Sequence, residues 1–246
     1  KEVYLTPSGY TGKKTRGGEV GSNGLILNHN GELVLCQHGD RRIAKMDAPL
    51  SAPAPNFITI ADNYQGLPFD SPNDAVIHSN GDIYFTDPPY GLEKYIHDSS
   101  KAAPYQGVYK VSPDGRVSLL VDSISRPNGI GFLKGEKTLL VANSESEKAV
   151  WYAFDITPGD TLTNGRIWYD ATKAAKTDKG GPDGFKVDGN GNVFATGPGG
   201  IWIFDGNAKL LGKIRVPVQT SNCALGDDDK TLYITASNYV LKVSMR

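Results

Sequence analysis

The feature that most restricts the fold of this 246-residue chain is a unit repeated five times along it. The copies are SNGLILNHNGELVLCQH (22–38), PNDAVIHSNGDIYFTDP (72–88), PNGIGFLKGEKTLLVANS (127–144), PDGFKVDGNGNVFATGP (182–198) and SNCALGDDDKTLYITAS (221–237). Each opens with Ser or Pro followed by Asn or Asp, runs through a short apolar segment, turns through polar residues, and returns as a run rich in Leu, Tyr, Val, Phe and Thr. Two such runs around a turn predict a hairpin, and Asn80-Gly81, Asn190-Gly191 and Asn30-Gly31 are the strongest turn signals.

The leading residues Asn23, Asn73, Asn128, Asp183 and Asn222 follow one another at intervals of 50, 55, 55 and 39 positions. That is the period of a propeller blade rather than of a helical solenoid. A third strand is read after each hairpin, at RRIAKMD (41–47), GVYKVSP (107–113), AVWYAFDI (149–156), GIWIFD (200–205) and YVLKVSMR (239–246). A fourth follows in four units, at NFITIAD (56–62), VSLLVD (117–122), GRIWYD (165–170) and LLGKIRV (210–216). The segment 170–180 reads as a loop or a short helical turn, and 92–106 as a loop inserted after the second strand of its unit. The expectation is an all-β chain forming one propeller domain over residues 1–246.

Blade geometry carries a consequence for function. The first strand of a blade lines the central channel and the second returns beside it, so the residue before strand one and the residue after strand two emerge on one face. The five Asn and Asp side chains are therefore expected to converge, with Gln37, His38, Asp87, Asn143, Ser144 and Ser237 in an outer ring.

Composition excludes several classes. The 29 Gly and 15 Pro favour turns and short strands over long helices. With 26 basic against 27 acidic residues the net charge is -1, which leaves no field to draw nucleic acid or anionic lipid. No apolar run is long enough for a membrane helix. The opening KEVYLTPSG lacks the zones of a signal peptide, and a periplasmic, secreted or cytoplasmic location fits equally. The two cysteines, Cys36 and Cys223, adjoin apolar runs and read as small buried hydrophobes, neither a disulfide framework nor a zinc site. No Gly-x-Ser-x-Gly elbow is present, and the GPGG at 197–200 lacks the spacing of a phosphate cradle.

The units resemble the SMP-30/gluconolactonase/LRE-like family, which takes in senescence marker protein 30, regucalcin and bacterial gluconolactonases. The resemblance rests on GSNGLILNHNGELVLCQHGDRRI, FDSPNDAVIHSNGDIYFTDPPYGL, SRPNGIGF and GGPDGFKVDGNGNVFATGPGGI, and it extends over essentially the whole chain in one register. It implies a six-bladed β-propeller with five blade units visible and the first blade largely absent. The Glu-Gly-Pro that opens the family's first unit does not occur here. On this reading EVYL (2–5) is the outermost strand of the absent blade, and a further stretch is expected before Lys1.

Neutral amide oxygens with one or two carboxylates form a hard-oxygen environment suited to Ca2+ or a similar divalent ion, with Mg2+, Mn2+ or Zn2+ as alternatives. The resemblance implies that Asn128 and Asp183 bind the ion, together with the missing first-blade Glu, and that Asn73 lies beside it and touches substrate or water. Asn23 and Asn222 complete the ring, while Glu19, four residues before Asn23, reads as a solvated loop residue within reach of the channel. A metal with open positions polarises a carbonyl and activates water for attack on a lactone, with Asp183 orienting or deprotonating that water. Arg126, Asp87, Tyr90, Glu93 and His38 are expected to line the substrate pocket with Asn73 and Asn23. The implied activity is metal-dependent hydrolysis of a sugar lactone such as gluconolactone, by a monomer or homodimer. Hydrolysis of another ester, a related reaction on a sugar acid, and a non-enzymatic propeller locked by its ion are the alternatives.

Overall fold

The computed structural model describes residues 2–158, 161–226 and 228–245. The chain divides into two compact units, Lys1–Ile124 and Ser125–Arg246. Four four-stranded antiparallel sheets and one three-stranded sheet are the five blade units of a β-propeller chain.

The first unit holds β1 (Ser22–Leu27), β2 (Leu33–Gln37), β3 (Arg42–Met46) and β4 (Phe57–Ala61) in one sheet. A small hairpin, β5 (Asn63–Tyr64) and β6 (Leu67–Pro68), leads to the second sheet of β7 (Ala75–Ile77), β8 (Ile83–Asp87), β9 (Gly107–Val111) and β10 (Val117–Val121). In both sheets sequence neighbours pair, so each is a meander whose strand one lies at an edge. The edge strands β1 and β7 lie against each other. Val34, Cys36, Ile43, Phe69, Phe85 and Tyr109 fill the core between the sheets, with the Phe69 and Phe85 rings edge-on at 5.1 Å.

The second unit contains β11 (Pro127–Phe132), β12 (Thr138–Asn143), β13 (Val150–Thr157) and β14 (Thr161–Asp170), then β15 (Phe185–Val187), β16 (Val193–Gly197), β17 (Gly200–Phe204) and β18 (Leu210–Arg215). Its last sheet is β19 (Thr220–Gly226), β20 (Thr231–Ala236) and β21 (Tyr239–Ser244). Strand one again faces strand one, with β11 and β19 flanking β15. Trp151, Trp202 and Phe204 anchor one core cluster, and Phe194, Ile201, Cys223, Leu232 and Ile234 another.

The turns follow from glycine placement. In 28–32, 78–82 and 188–192 the first residue donates its N–H to the carbonyl of the last at 2.9 Å. Gly31, Gly81 and Gly191 hold the left-handed position at φ 74°, 93° and 91°, where any side chain would strain the backbone.

All five predicted hairpins and every predicted third and fourth strand are present. Asp227 and Arg246, which two of these readings include, lie outside the described residues. The 170–180 segment carries one short helix, α1 (Thr172–Ala175), and the 92–106 insertion one 3-10 turn at Tyr95–His97. Two details differ from expectation. EVYL forms no strand, and the Tyr4 hydroxyl donates instead to the Leu50 carbonyl at 2.7 Å. Asn23, Asn128 and Asn222 lie inside strand one rather than before it, because a register slip lets the strand continue past them.

Candidate functional site

The slips fall at or next to the leading residues. Pairing shifts between Ser22 and Leu25, between Pro127 and Ile130, and between Thr220 and Asn222. A bulge of this kind re-aims the side chain it carries.

The glycines that follow three of the leading residues, Gly24, Gly129 and Gly184, have a separate task. Gly24 donates its N–H to the Asn73 carbonyl at 2.7 Å, and Gly184 donates to the Ser221 carbonyl at 2.8 Å. A Cβ on Gly129 would lie 2.1 Å from the Asp183 carbonyl oxygen, and one on Gly184 2.1 Å from Asn222 Cγ. None of the three has a positive φ, so close approach of the next strand, rather than turn conformation, requires glycine here. The first unit thus brings Asn23 and Asn73 together, and the second brings together Asn128, Asp183 and Asn222 in succession.

The ends of strand two hold this arrangement from behind. Thr196 Oγ1 accepts the Asp183 N–H at 3.1 Å and donates to the Gly184 carbonyl at 3.0 Å. Thr235 Oγ1 accepts the Asn222 N–H at 2.9 Å and donates to the carbonyl of Asn222 itself at 3.1 Å. Asn143 accepts the Arg126 N–H through Oδ1 at 2.9 Å and donates through Nδ2 to the Lys148 carbonyl at 2.9 Å. Gln37 Nε2 donates to the Ser8 carbonyl at 2.8 Å. Asp87 accepts the N–H groups of Asp70 and Ser71 at 2.8 and 2.7 Å with its two oxygens, at 2% exposure. Burial, reinforced by the nearby Asp70 charge, pushes the Asp87 carboxyl up to about 7. Of the expected outer ring, Gln37, Asp87 and Asn143 thus bond to backbone, and of these only Asp87 is also a pocket candidate.

The remaining candidates have defined places. His38 is buried, with Nδ1 3.5 Å from Glu19 Oε2 and Nε2 3.2 Å from Asn23 Nδ2. An Asn amide donating to Nε2 leaves the ring proton on Nδ1, facing Glu19. Both ring nitrogens are therefore engaged, which makes His38 a support for Asn23, and Glu19 reaches His38 from an exposed position. Arg126 is half-buried and its Nη1 donates to the neighbouring Ser125 carbonyl at 2.7 Å. The Tyr90 ring meets Tyr95 edge-on at 6.4 Å. Glu93 is exposed and lies over Gly17, whose Cβ would be 2.6 Å from Glu93 Cδ. Asn73 and Asn128 are buried, and Asp183 and Asn222 half-buried.

Sequence reasoning missed three charged groups. Lys186 Nζ donates to Asn222 Oδ1 at 3.3 Å. Asp70 and Lys101, 31 positions apart, form a buried ion pair, and no local pattern announces such a pairing.

Among the described residues no three His, Cys, Asp or Glu side chains cluster to hold a metal. The donors at Asn128 and Asp183 are an amide and a carboxylate, which fit a hard, oxygen-seeking cation and not a soft one.

The model of the SMP-30/gluconolactonase/LRE-like region matches residues 4–238. The chain belongs to this family. It is similar to a gluconolactonase of Zymomonas mobilis, at 38% identity over 251 residues covering 98% of this chain and 68% of that protein. It is also similar to lactonase drp35 of Staphylococcus aureus, at 28% identity over 202 residues, with 78% of this chain and 56% of that one covered. Of solved structures, a gluconolactonase of Xanthomonas campestris superposes with a TM-score of 0.79 at 29% identity, over 92% of this chain and 73% of that chain. The chain thus spans about two thirds of the Zymomonas protein and a little over half of drp35. No helix among the described residues is long and apolar enough to cross a membrane.

Proposed function

We propose that this chain is a gluconolactonase-like hydrolase that opens a sugar lactone with the help of a divalent cation. Similarity to lactonases from separate bacteria supports the reaction class. The observation that carries the chemistry is the close approach of the Gly129 and Asp183 backbones, which places an amide-bearing and a carboxylate-bearing residue on neighbouring segments.

Asn128 and Asp183 are the residues that would hold the cation, and Ca2+ suits their oxygens best. A divalent ion bound there supplies Lewis-acid polarisation of the lactone carbonyl and lowers the pKa of a water. Asp183 accepts the proton that the attacking water sheds as its oxygen bonds to the carbonyl carbon. The acyl C–O bond then breaks, the ring oxygen takes that proton back, and the product is the open-chain hydroxy acid. Thr196, bonded to the Asp183 N–H and the Gly184 carbonyl, keeps the Asp183 backbone still during this exchange. Asn73, Asn23 and Arg126 are the groups assigned to sugar hydroxyls, with Tyr90 just ahead of the insertion, Glu93 on it, and His38 orienting Asn23.

The test is hydrolysis of glucono-1,5-lactone by metal-stripped protein with Ca2+ restored, corrected for spontaneous opening. Turnover that requires Ca2+ and falls at least about 100-fold in Asp183→Ala and Asn128→Ala is expected. Tight Ca2+ binding without turnover in the unsubstituted chain would refute the activity.

A further inference from the structure

The second sheet of the first unit contains a group of charges that the proposed reaction does not use. Lys101, near the end of the 92–106 insertion, donates through Nζ to Asp70 Oδ2 and to the carbonyls of Ala103 and Tyr105 at 2.7 and 2.8 Å. Its side chain is 8% exposed and that of Asp70 1%. Arg41 donates from Nε to the Phe69 carbonyl and from Nη1 to the Ser100 carbonyl at 3.0 Å, with Nη2 3.9 Å from Asp70 Oδ1. Asp87 holds the N–H groups of Asp70 and Ser71. Ser71 Oγ donates to the Pro88 carbonyl at 2.5 Å and accepts the Gly91 N–H at 2.8 Å. Two residues further on, Asn73 donates its N–H to the Thr86 carbonyl at 2.8 Å.

Two acids and two bases are thus withdrawn from water around a five-residue stretch, 69–73. Desolvating ion pairs is costly, and well-packed apolar residues commonly do as well for stability alone. Bracing strand one does not require charge either: Asn143 does it in the second unit with a neutral amide. What the charges add is a connection. Lys101 fastens the base of the insertion to Asp70, and Asp87 fastens Asp70 and Ser71 to the end of β8, immediately ahead of Asn73.

We propose that Lys101, Asp70 and Asp87 form a positioning relay through which the seating of the 92–106 insertion sets the placement of Asn73 for the lactone. The inference rests on the lactonase reading for its kinetic consequence and on the geometry of the first unit for its mechanical one. When the relay is broken, the insertion and the 69–74 segment spend less time in the binding arrangement. The apparent affinity falls by that fraction, while molecules that have bound react as before.

The test combines hydrogen–deuterium exchange with kinetics on Lys101→Met and Lys101→Arg. In Lys101→Met, exchange in 91–106 and in 69–74 is expected to accelerate together by about tenfold or more, with 22–37 unchanged. KM for glucono-1,5-lactone rises about tenfold and kcat stays within about threefold, while Lys101→Arg keeps both near the starting values. Faster exchange confined to 91–106, or joint loosening with unchanged KM, overturns the relay. Should Lys101→Met not fold, the charge-free pair Asp70→Asn/Lys101→Met carries the same readouts. A chain that opens no sugar lactone removes the proposed function alone. Joint loosening then still supports the relay, and independent loosening still overturns it.

Discussion

Gly129→Ala separates two explanations of the Asn-Gly and Asp-Gly pairs, turn formation and close strand approach. A Cβ there would lie 2.1 Å from the Asp183 carbonyl oxygen, 2.9 Å from its carbon and 3.0 Å from Gly184 Cα, whereas ordinary contact begins at 3.4 Å. All three neighbours are backbone, so no rotamer change relieves the clash, and the strand must retreat by about 1 Å. Overpacking of a tight interior costs about 1–3 kcal/mol, and a purely backbone clash belongs at the upper end, about 3 kcal/mol. Gly184→Ala meets the Asn222 side chain, which can swing aside, so its cost is nearer 1 kcal/mol. Gly212→Ala points into open space at an ordinary φ and should stabilise by about 0.5 kcal/mol through the unfolded chain. The chain has three tryptophans, Trp151, Trp168 and Trp202, and all lie in the second unit with these glycines. Urea unfolding followed by tryptophan fluorescence therefore reads the right unit. The expected stability order is Gly212→Ala at or above the unsubstituted chain, then Gly184→Ala, then Gly129→Ala. A Gly129→Ala stability equal to that of Gly212→Ala would refute the close-approach argument. By the same displacement Gly129→Ala should weaken Ca2+ binding.

Two further outcomes follow from buried charge. Lys110 Nζ lies 3.2 Å from Asp82 Oδ2, with side-chain exposures of 2% and 11%. Asp82→Ala should cost about 3–5 kcal/mol, and adding Lys110→Met should recover most of it; additive losses in a urea double-mutant cycle would count against this. The Asp87 carboxyl is raised to about 7 when folded, against an ordinary value of about 3.9. Between these values the folded chain binds the extra proton, so unfolding free energy should fall as pH rises through that window. Asp70 is raised in the same direction, by burial. Urea unfolding at a series of pH values should show this slope and its reduction in Asp87→Asn; an unchanged slope in that variant would contradict the assignment.

The strands were legible in the sequence because the information that makes them is local and written five times. An apolar run, an Asn-Gly pair with its glycine at positive φ, and a return run suffice for 75–87 or 185–197, whatever lies elsewhere in the chain. The adjacency of the leading residues within each unit was legible for a related reason, since equal positions in equal hairpins land on neighbouring first strands. The partners of individual side chains were not. Asp87 lies at the end of strand two as predicted, yet its oxygens are taken by the amides of Asp70 and Ser71, and only the path of the preceding segment decides that. Asn143, at the corresponding place, braces a segment of different sequence with a different functional group. His38 follows the same logic, for Glu19 and Asn23 reach its two nitrogens from positions that carry no pairing pattern.

This contrast locates the specialised parts of the molecule. Where the repeat is obeyed, a residue answers to the frame that every sheet shares, and threonines such as Thr196 and Thr235 do the same work in different blades. Where the repeat is interrupted, as at 92–106, side chains form pairs such as Lys101 with Asp70. Lys101 comes from that interruption and Asp70 from the link that leads into β7. A frame-making residue can be replaced by whatever braces equally well, as Asn143 stands where the second sheet has Asp87. Lys101 lies outside the repeat, so its loss should register in the 69–74 segment while every hairpin stays intact.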